Sequence, residues 1–263
     1  MGKVRIRIMV RQWSLRIVFG FIKELASEAK GLLDPSDPLR PYNRRFSVGF
    51  TRWRLKNLMR LRLRLDLMRT EGHIFKPQAR FLQDLVRNSD SVREVMEIGF
   101  NAGHSSYLFL SVRPDVHVVS FDIGDHEYVE LAKSVIDSMF PGRHRLIRGD
   151  SRTTIPAFAD ENPDQTFDLI YIDGGHDYEV AKADIENCQR LSAGESVVVM
   201  DDLDPSVEWG VGPVRAWREA QATGRVRQEF LVRDGLALSV ANPEEAVIPG
   251  SHIWGIGRYL ASP

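Results

Sequence analysis

The stretch that decides the fold is residues 95–103, Val-Met-Glu-Ile-Gly-Phe-Asn-Ala-Gly. Apolar residues lead into it, glycine stands at positions 99 and 103, and a segment of helical character, residues 105–112, follows. Strand, glycine turn and helix in this order are typical of an α/β sheet that holds a nucleotide-like cofactor. A Cβ at Gly99 or Gly103 would block both the sharp turn and the approach of a ligand. A tight turn that holds no ligand would explain the same junction.

Strands and helices alternate along the chain after residue 92, which predicts an α/β fold with a mostly parallel sheet. Three of the predicted strands are apolar almost throughout, as central strands covered on both faces should be. The predicted strands are 92–98, 116–121, 144–147, 167–172, 195–200 and a closing pair near 226–240 and 253–260. The predicted helices are 77–86, 105–112, 127–139, 178–190 and 212–222.

The first 70 residues differ from the rest of the chain in charge. They hold 17 Lys and Arg against 5 Asp and Glu, whereas residues 71–263 hold 18 against 31. We therefore divide the chain into a basic N-terminal extension, residues 1–70, and a main domain, residues 71–263. Because arginine interleaves with leucine in the extension, we expect it to pack in a homo-oligomer or to form a lid, and we expect no nucleic acid as partner.

The extension is predicted to be helical at 1–30 and 51–70. Residues 31–50 are interpreted as a connector, because Pro35, Pro38 and Pro41 exclude a continuous helix. Arginines interrupt the apolar run 6–22, so we expect no transmembrane segment, although an amphipathic helix on a membrane surface stays open. The single cysteine, Cys188, excludes an internal disulfide and fits a cytoplasmic protein.

Acidic residues stand where the predicted strands end. Because the carboxyl ends of parallel strands meet at one edge of a sheet, where ligands bind, we expect these side chains to lie close together. Helix N-caps would account for any one of them, but less readily for five strand ends in a row. The acids are Glu97, Asp122, Asp150, Asp173, Asp201 and Asp202.

Several of these positions suit a cofactor that is seated on Gly99. Asp122 ends the second strand, where its carboxylate can accept both ribose hydroxyls or cap the next helix. Asp150 and Ser151 follow the third strand on the side where an adenine would lie, and Ser151 can also cap a short helix. Ser105 can bind the amino-acid end of the cofactor, or it is an ordinary serine in the first turn of a helix.

Asp173, Asp201 and Asp202 follow neighbouring strands, so three carboxylates are expected within a few ångström of one another. Three charges that close repel, unless one is protonated or a cation is present. Oxygen ligands alone favour a hard divalent ion such as Mg²⁺. His176, in the loop after Asp173, is a candidate general base because its usual pKa is near neutral. The alternatives are that Asp202 only flanks a loop and that His176 caps a helix.

The motifs together resemble the metal-dependent class I S-adenosylmethionine (SAM) O-methyltransferases over about residues 70–240. The Glu-x-Gly-x-x-x-Gly spacing and Ser105 are similar to the glycine motif of that family. His176 stands where the catechol-type members have lysine, and the segment 172–179 looks more like the macrocin-type branch, which acts on sugars and other hydroxyls of natural products. The cofactor contacts that these arguments predict are Glu97, Gly99, Gly103, Ser105, Asp122, Asp150, Ser151 and Asp173.

The resemblance implies a Rossmann-like sheet of seven strands, mostly parallel with the last antiparallel, and a helical N-terminal extension. It implies SAM and Mg²⁺ as cofactors and methyl transfer to a hydroxyl of a small molecule, such as a sugar or a glycosylated intermediate. It also implies that Asp173, Asp201 and Asp202 bind the metal and that His176 is the base. Two other interpretations stay open, namely a SAM-fold enzyme with different chemistry and a nucleic-acid-binding module built on the basic extension.

Overall fold

The structure is a computed structural model that describes residues 34–58 and 74–260. The helices in these ranges are α1 (Arg40–Leu58), α2 (Lys76–Arg87), α3 (His104–Val112), α4 (Val129–Met139), α5 (Ser151–Glu161), α6 (Tyr178–Gln189), α7 (Glu208–Ala222) and α8 (Pro243–Ala246). The strands are β1 (Glu94–Ile98), β2 (His117–Asp122), β3 (His144–Arg148), β4 (Phe167–Ile172), β5 (Ser192–Met200), β6 (Val226–Arg233), β7 (Leu236–Leu238) and β8 (Ile253–Tyr259).

The strands form one sheet in the order β3-β2-β1-β4-β5-β8-β6-β7. Strands β1 to β5 are parallel, whereas β8 is antiparallel to β5 and lies between β5 and β6. After β1 the chain places β2 and β3 on one side of β1, and it then crosses to the other side of β1 with β4. This reversal makes the carboxyl ends of β1 and β4 the place where a ligand binds in such folds.

Both faces of the sheet are covered by helices, and alternate residues of the central strands contribute to two separate cores. In β4, Leu169 and Tyr171 pack with α2, α3 and α4, whereas Ile170 and Ile172 pack with α5, α6 and α7. Since side chains alternate across a strand, an apolar run is what this position requires. The Rossmann-like α/β prediction is therefore confirmed.

Two parts of the prediction are wrong in detail. The segment 226–240 is a hairpin and not one strand, because Asp234 and Gly235 adopt positive φ angles of 50° and 86° and turn β6 back into β7. The described sheet therefore has eight strands and not seven. Helix α5 was not predicted as a full helix, and it contains Pro156.

The predicted connector over 31–50 is also wrong for its second half, since α1 begins at Arg40. Pro41 lies in the first turn of α1, where a missing N–H costs no helical hydrogen bond. Tyr42 and Phe46 are buried in the core beside α3 and α4. The helix predicted over 51–70 is present to residue 58, and the rest of it, with residues 1–30 and the boundary at residue 70, lies outside the described residues.

Candidate functional site

The carboxyl edge of the sheet brings together the residues that follow β1, β4 and β5. The Gly99 amide donates to the Phe121 carbonyl over 2.8 Å, and the Asp173 amide donates to the Ile98 carbonyl over 2.9 Å. The Asp201 amide donates in the same way to the Ile172 carbonyl over 2.9 Å. The parallel ladder thus continues one residue beyond each strand and fixes Gly99, Asp173 and Asp201 side by side.

Glycine is needed at positions 99 and 103, but for a reason other than the one predicted. Both have left-handed backbone angles, with φ of 93° and 73°. A Cβ on Gly99 would collide with the carbonyl oxygen of Asp173. A Cβ on Gly103 would come within 2.9 Å of the Tyr42 hydroxyl and 3.0 Å of the Phe100 ring. The protein itself therefore fills the space beside both glycines.

Glu97 is fully buried beneath this turn and is surrounded by hydroxyl groups. Its carboxylate accepts hydrogen bonds from Ser105, Ser106 and Ser120. Burial raises the pKa of Glu97, and the three hydroxyls oppose that rise. Since an ionised carboxylate is an acceptor only, three hydroxyl donors suit the charged form.

His144 completes this network from β3. Its Nε2 lies 2.9 Å from the Ser120 hydroxyl, and its Nδ1 is buried with no hydrogen-bond partner. If Ser120 donates to Glu97, then Ser120 accepts from Nε2–H, so we assign the proton of His144 to Nε2. Burial lowers the pKa of His144 to about 3, which keeps the ring neutral.

Glu97 and Ser105 are thus placed against each other, and each is buried. A direct contact of Glu97 or Ser105 with a cofactor stays a prediction.

Asp122 is partly exposed at the end of β2 and accepts from two backbone amides. The Asn101 amide donates to Oδ2 and the Gly124 amide donates to Oδ1, both over 2.7 Å. Each carboxylate oxygen keeps a further lone pair, so the predicted role in binding a diol is compatible with this geometry. Ile123, the next residue, is 62% exposed.

Asp150 is the N-cap of α5, and so the cap is Asp150 and not Ser151. Its carboxylate accepts from the Arg152 amide over 2.9 Å and from the Arg152 guanidinium over 2.5 Å. These bonds hold the pKa of Asp150 below its usual range. The role predicted for Asp150 and Ser151 beside an adenine stays a prediction.

Asp173 is the least satisfied of the acids. Its Oδ2 accepts one long hydrogen bond, from the Tyr171 hydroxyl over 3.2 Å, while the same hydroxyl donates to Asp201 over 2.5 Å. Burial, together with the charges of Asp201 and Asp202, raises the pKa of Asp173 well above its usual value. This carboxylate would gain more from a nearby cation than from its present neighbours.

Asp201, by contrast, already accepts from several partners. The Gln78 amide and the Tyr171 hydroxyl each lie 2.5 Å from Oδ2, and His252 Nε2 lies 2.8 Å from Oδ1. Although burial alone would raise it, the hydrogen bond with His252 leaves the pKa of Asp201 below its usual range. Sequence reasoning missed Gln78 and His252, which come from α2 and from the loop before β8.

The structure divides the predicted three-aspartate set into two sets that share Asp202. Ligand atoms of Asp173, His176 and Asp202 all lie within 4.8 Å of one another, and so do those of Asp201, Asp202 and His252. His176 Nε2 lies 2.8 Å from Asp202 Oδ2, and this hydrogen bond raises the pKa of His176. Asp202, which belongs to both sets, has a left-handed backbone with φ of 56°.

Helix α7 closes one side of this cluster. A Cβ on Gly210 would meet the Asp204 carbonyl, and a Cβ on Gly212 would meet the His176 carbonyl, so the first turns of α7 pack tightly on both loops. The segment that follows Asp204 is helical from residue 208 onward. Trp209, in the first turn of α7, remains 54% exposed.

Part of the chain matches the sequence model of a known family. Residues 96–203 match the sequence model of a family described as a methyltransferase domain. The chain is 24% identical to the uncharacterized protein y4gI of Sinorhizobium fredii over 187 residues, which is 66% of this chain. The match covers 20% of that protein, so the chain spans about one fifth of the length of this curated relative.

Solved structures share the fold at low sequence identity. The O-methyltransferase of Bacillus cereus in complex with SAH has a TM-score of 0.56 at 18% identity, covering 81% of this chain and 90% of that one. TomG of Streptomyces achromogenes, in complex with SAM, has a TM-score of 0.57 at 20% identity, with coverages of 82% and 89%. CalS11, a TDP-rhamnose 3'-O-methyltransferase, has a TM-score of 0.51 at 21% identity, with coverages of 79% and 92%.

Among the described residues, no helix is both long and apolar enough to cross a membrane. Part of the chain is thus similar to a methyltransferase domain, and the solved O-methyltransferase structures share its fold.

Proposed function

We propose that this chain transfers a methyl group from SAM to a hydroxyl of a small molecule, with the help of a divalent cation such as Mg²⁺. The observation that carries this proposal is the position of Asp173. It stands beside the Gly99 turn on one side and beside Asp202 and His176 on the other, with one long hydrogen bond to its carboxylate. A donor of a methyl group and a cation can thus lie next to each other.

The cofactor side of the edge fits SAM. Asp122 offers acceptors for ribose hydroxyls, and the exposed Ile123 beside it offers an apolar surface for an adenine ring. When bound, SAM supplies an electrophilic methyl group on its sulfonium. The buried carboxylate of Glu97 lies under the same turn, and its ionised form would favour a cationic group nearby.

The metal side fits a hard cation through Asp173 and Asp202. Carboxylate oxygens are the ligands that Mg²⁺ prefers, and a cation would relieve the repulsion that raises the pKa of Asp173. Asp201 fits less well than predicted, because both of its oxygens already accept hydrogen bonds. When bound, the cation supplies Lewis acidity, which lowers the pKa of an attacking hydroxyl.

His176 is placed to take the proton of the acceptor. Its side chain is 44% exposed, so an acceptor that enters from solvent can reach it. Its Nε2 is oriented by Asp202 at 2.8 Å. With His176 on one side of Asp173 and the Gly99 turn on the other, most of the rate enhancement would come from positioning.

For the acceptor we propose a hydroxyl of a sugar or of a glycosylated natural-product intermediate. CalS11 is described as acting on TDP-rhamnose, and TomG as involved in tomaymycin synthesis. The histidine at position 176 fits the macrocin-type branch for the reason given above. A homo-oligomer formed through the basic extension and a cytoplasmic location stay predictions.

The test measures the binding of SAH and of Mg²⁺ first and turnover second. We expect SAH to raise the melting temperature of the protein, and Mg²⁺ to raise it further unless EDTA is present. Hydroxylated acceptors would then be screened by mass spectrometry for a gain of one methyl group. Asp137→Asn, in an exposed ion pair on α4, is the control for Asp173→Asn. No thermal response to SAH or to the metal would contradict the proposed function.

A further inference from the structure

Tyr42 comes from the N-terminal part of the chain and contacts the glycine turn at residues 99–103. It lies in the first turn of α1, is fully buried, and donates its hydroxyl proton to the carbonyl oxygen of Ala102 over 2.5 Å. Ala102 directly precedes Gly103, the left-handed N-cap of α3. A side chain sixty positions earlier in sequence thus bonds to the peptide from which α3 begins.

Both ends of that peptide are held. The carbonyl of Ala102 is bonded by Tyr42, and the amide of Gly103 donates to the Phe100 carbonyl over 2.7 Å. The Tyr42 hydroxyl also occupies the space that a Cβ on Gly103 would need. Because Ala102 is buried, loss of the hydroxyl would leave its carbonyl without a partner and without access to water.

Tyr42 is itself held firmly. Its ring stacks on Phe46 at 5.8 Å between centroids and contacts the Tyr107 ring at 5.2 Å. The residues just before α1 are tied to α2, since Lys76 Nζ lies 2.6 Å from the Asp34 carboxylate. Burial raises the pKa of Tyr42 well above its usual value, so its hydroxyl remains a donor.

We propose that Tyr42 is a positioning residue for cofactor binding, which acts by fixing the Ala102–Gly103 peptide and with it the direction of the first turn of α3. The proposal rests on the proposed use of SAM. It makes the segment before residue 70 part of the cofactor site, and not only a candidate for assembly.

The test is Tyr42→Phe, which removes the hydroxyl and keeps the ring with its packing. We expect SAH to bind about fivefold more weakly in calorimetry, as the loss of one buried hydrogen bond implies. In the protein without ligand, hydrogen exchange at the Gly103 and Tyr107 amides should become faster. Tyr107→Phe is the matched control, because it removes a hydroxyl from the neighbouring ring and leaves the Ala102 bond intact.

Each outcome decides between two interpretations. If Tyr42→Phe lowers the melting temperature but binds SAH as the unaltered protein does, Tyr42 is only structural and the proposal is wrong. An equal loss of SAH affinity in both variants would overturn it as well. If the unaltered protein does not bind SAH, the proposed function fails instead, and unchanged exchange at Gly103 would then overturn the positioning role by itself.

Discussion

Glu97 and Asp173 are two carboxylates on neighbouring strands, and they have opposite surroundings. Glu97 accepts from three serine hydroxyls and is closed off from solvent. Asp173 accepts one hydrogen bond of 3.2 Å and faces the charges of Asp201 and Asp202. The described residues stabilise the carboxylate of Glu97 with three hydrogen bonds, whereas they do little to stabilise the carboxylate of Asp173.

Under the proposed function, this difference separates an acid that supports the site from an acid that would bind a ligand. A carboxylate that is saturated with donors has no reason to bind a cation, because it would lose good hydrogen bonds. A carboxylate next to like charges gains from the same cation. Substitutions at the two positions should therefore change different properties of the protein.

The largest effect is expected for Asp173→Asn. We expect turnover to fall about 100-fold or more, because the amide removes a charged oxygen ligand from the proposed metal site. The melting temperature should not fall, since the substitution relieves repulsion with Asp201 and Asp202. SAH affinity should stay largely intact. Turnover, differential scanning calorimetry and SAH titration measure the three quantities.

The proposed difference between Asp173 and Glu97 is wrong if Asp173→Asn unfolds the protein or abolishes SAH binding. Unfolding would show that Asp173 is a structural acid, in the same way as Glu97, whereas loss of SAH binding in a folded variant would show that Asp173 contacts the cofactor. Asp137→Asn, on the exposed face of α4, should leave all three quantities unchanged.

The next effect is expected for His176→Ala. Removal of a general base typically lowers the rate by about 100-fold or more, and we expect this in kcat with SAH affinity changed by less than about twofold. His117→Ala, an exposed histidine at the opposite end of β2, is the control. An unchanged kcat in His176→Ala would remove the base assignment and leave its contact with Asp202 as a structural one.

Glu97→Gln should act on stability instead. The amide loses the charge that three hydroxyls stabilise, and we expect the free energy of unfolding to fall by about 2 kcal/mol in urea titrations. SAH affinity, measured on the folded fraction, should change little. Loss of SAH affinity with full stability would show instead that Glu97 contacts the cofactor directly, as the sequence predicts. Glu94→Gln, at the start of β1, is the control.

The fold could be predicted from the sequence because its signals are local. The apolar run that becomes β4, and the glycine turn after β1, each depend on neighbours within a few residues. Helix α1 was missed because three prolines outweighed the apolar spacing of Leu39, Tyr42 and Phe46. The hydroxyl of Tyr42 meets its partner sixty positions away, and no local pattern carries that information.

The acids of the site could be found from the sequence, but their division of labour could not. Strand ends predicted that Asp173, Asp201 and Asp202 lie together. Which of them is satisfied depends on Tyr171, Gln78 and His252, and the last two come from elements far away in sequence. The same holds for Glu97, because Ser120 and His144 lie on β2 and β3.

The smallest effect concerns the pH dependence that His144 gives to stability. Burial lowers its folded pKa to about 3, whereas the unfolded ring titrates at 6.5. Between these two pKa values the unfolded state therefore binds a proton that the folded state does not bind. The contribution of the neutral ring to the free energy of unfolding is complete above pH 6.5 and is lost as the pH falls toward 3. At pH 5 the loss amounts to about 2 kcal/mol at most.

His144→Gln should remove most of this difference between pH 7 and pH 5 in urea titrations, while the exposed His117→Gln should not. If His144→Gln keeps the full pH dependence, the ring takes up a proton in the folded state, and the assignment of a neutral His144 behind an ionised Glu97 is wrong.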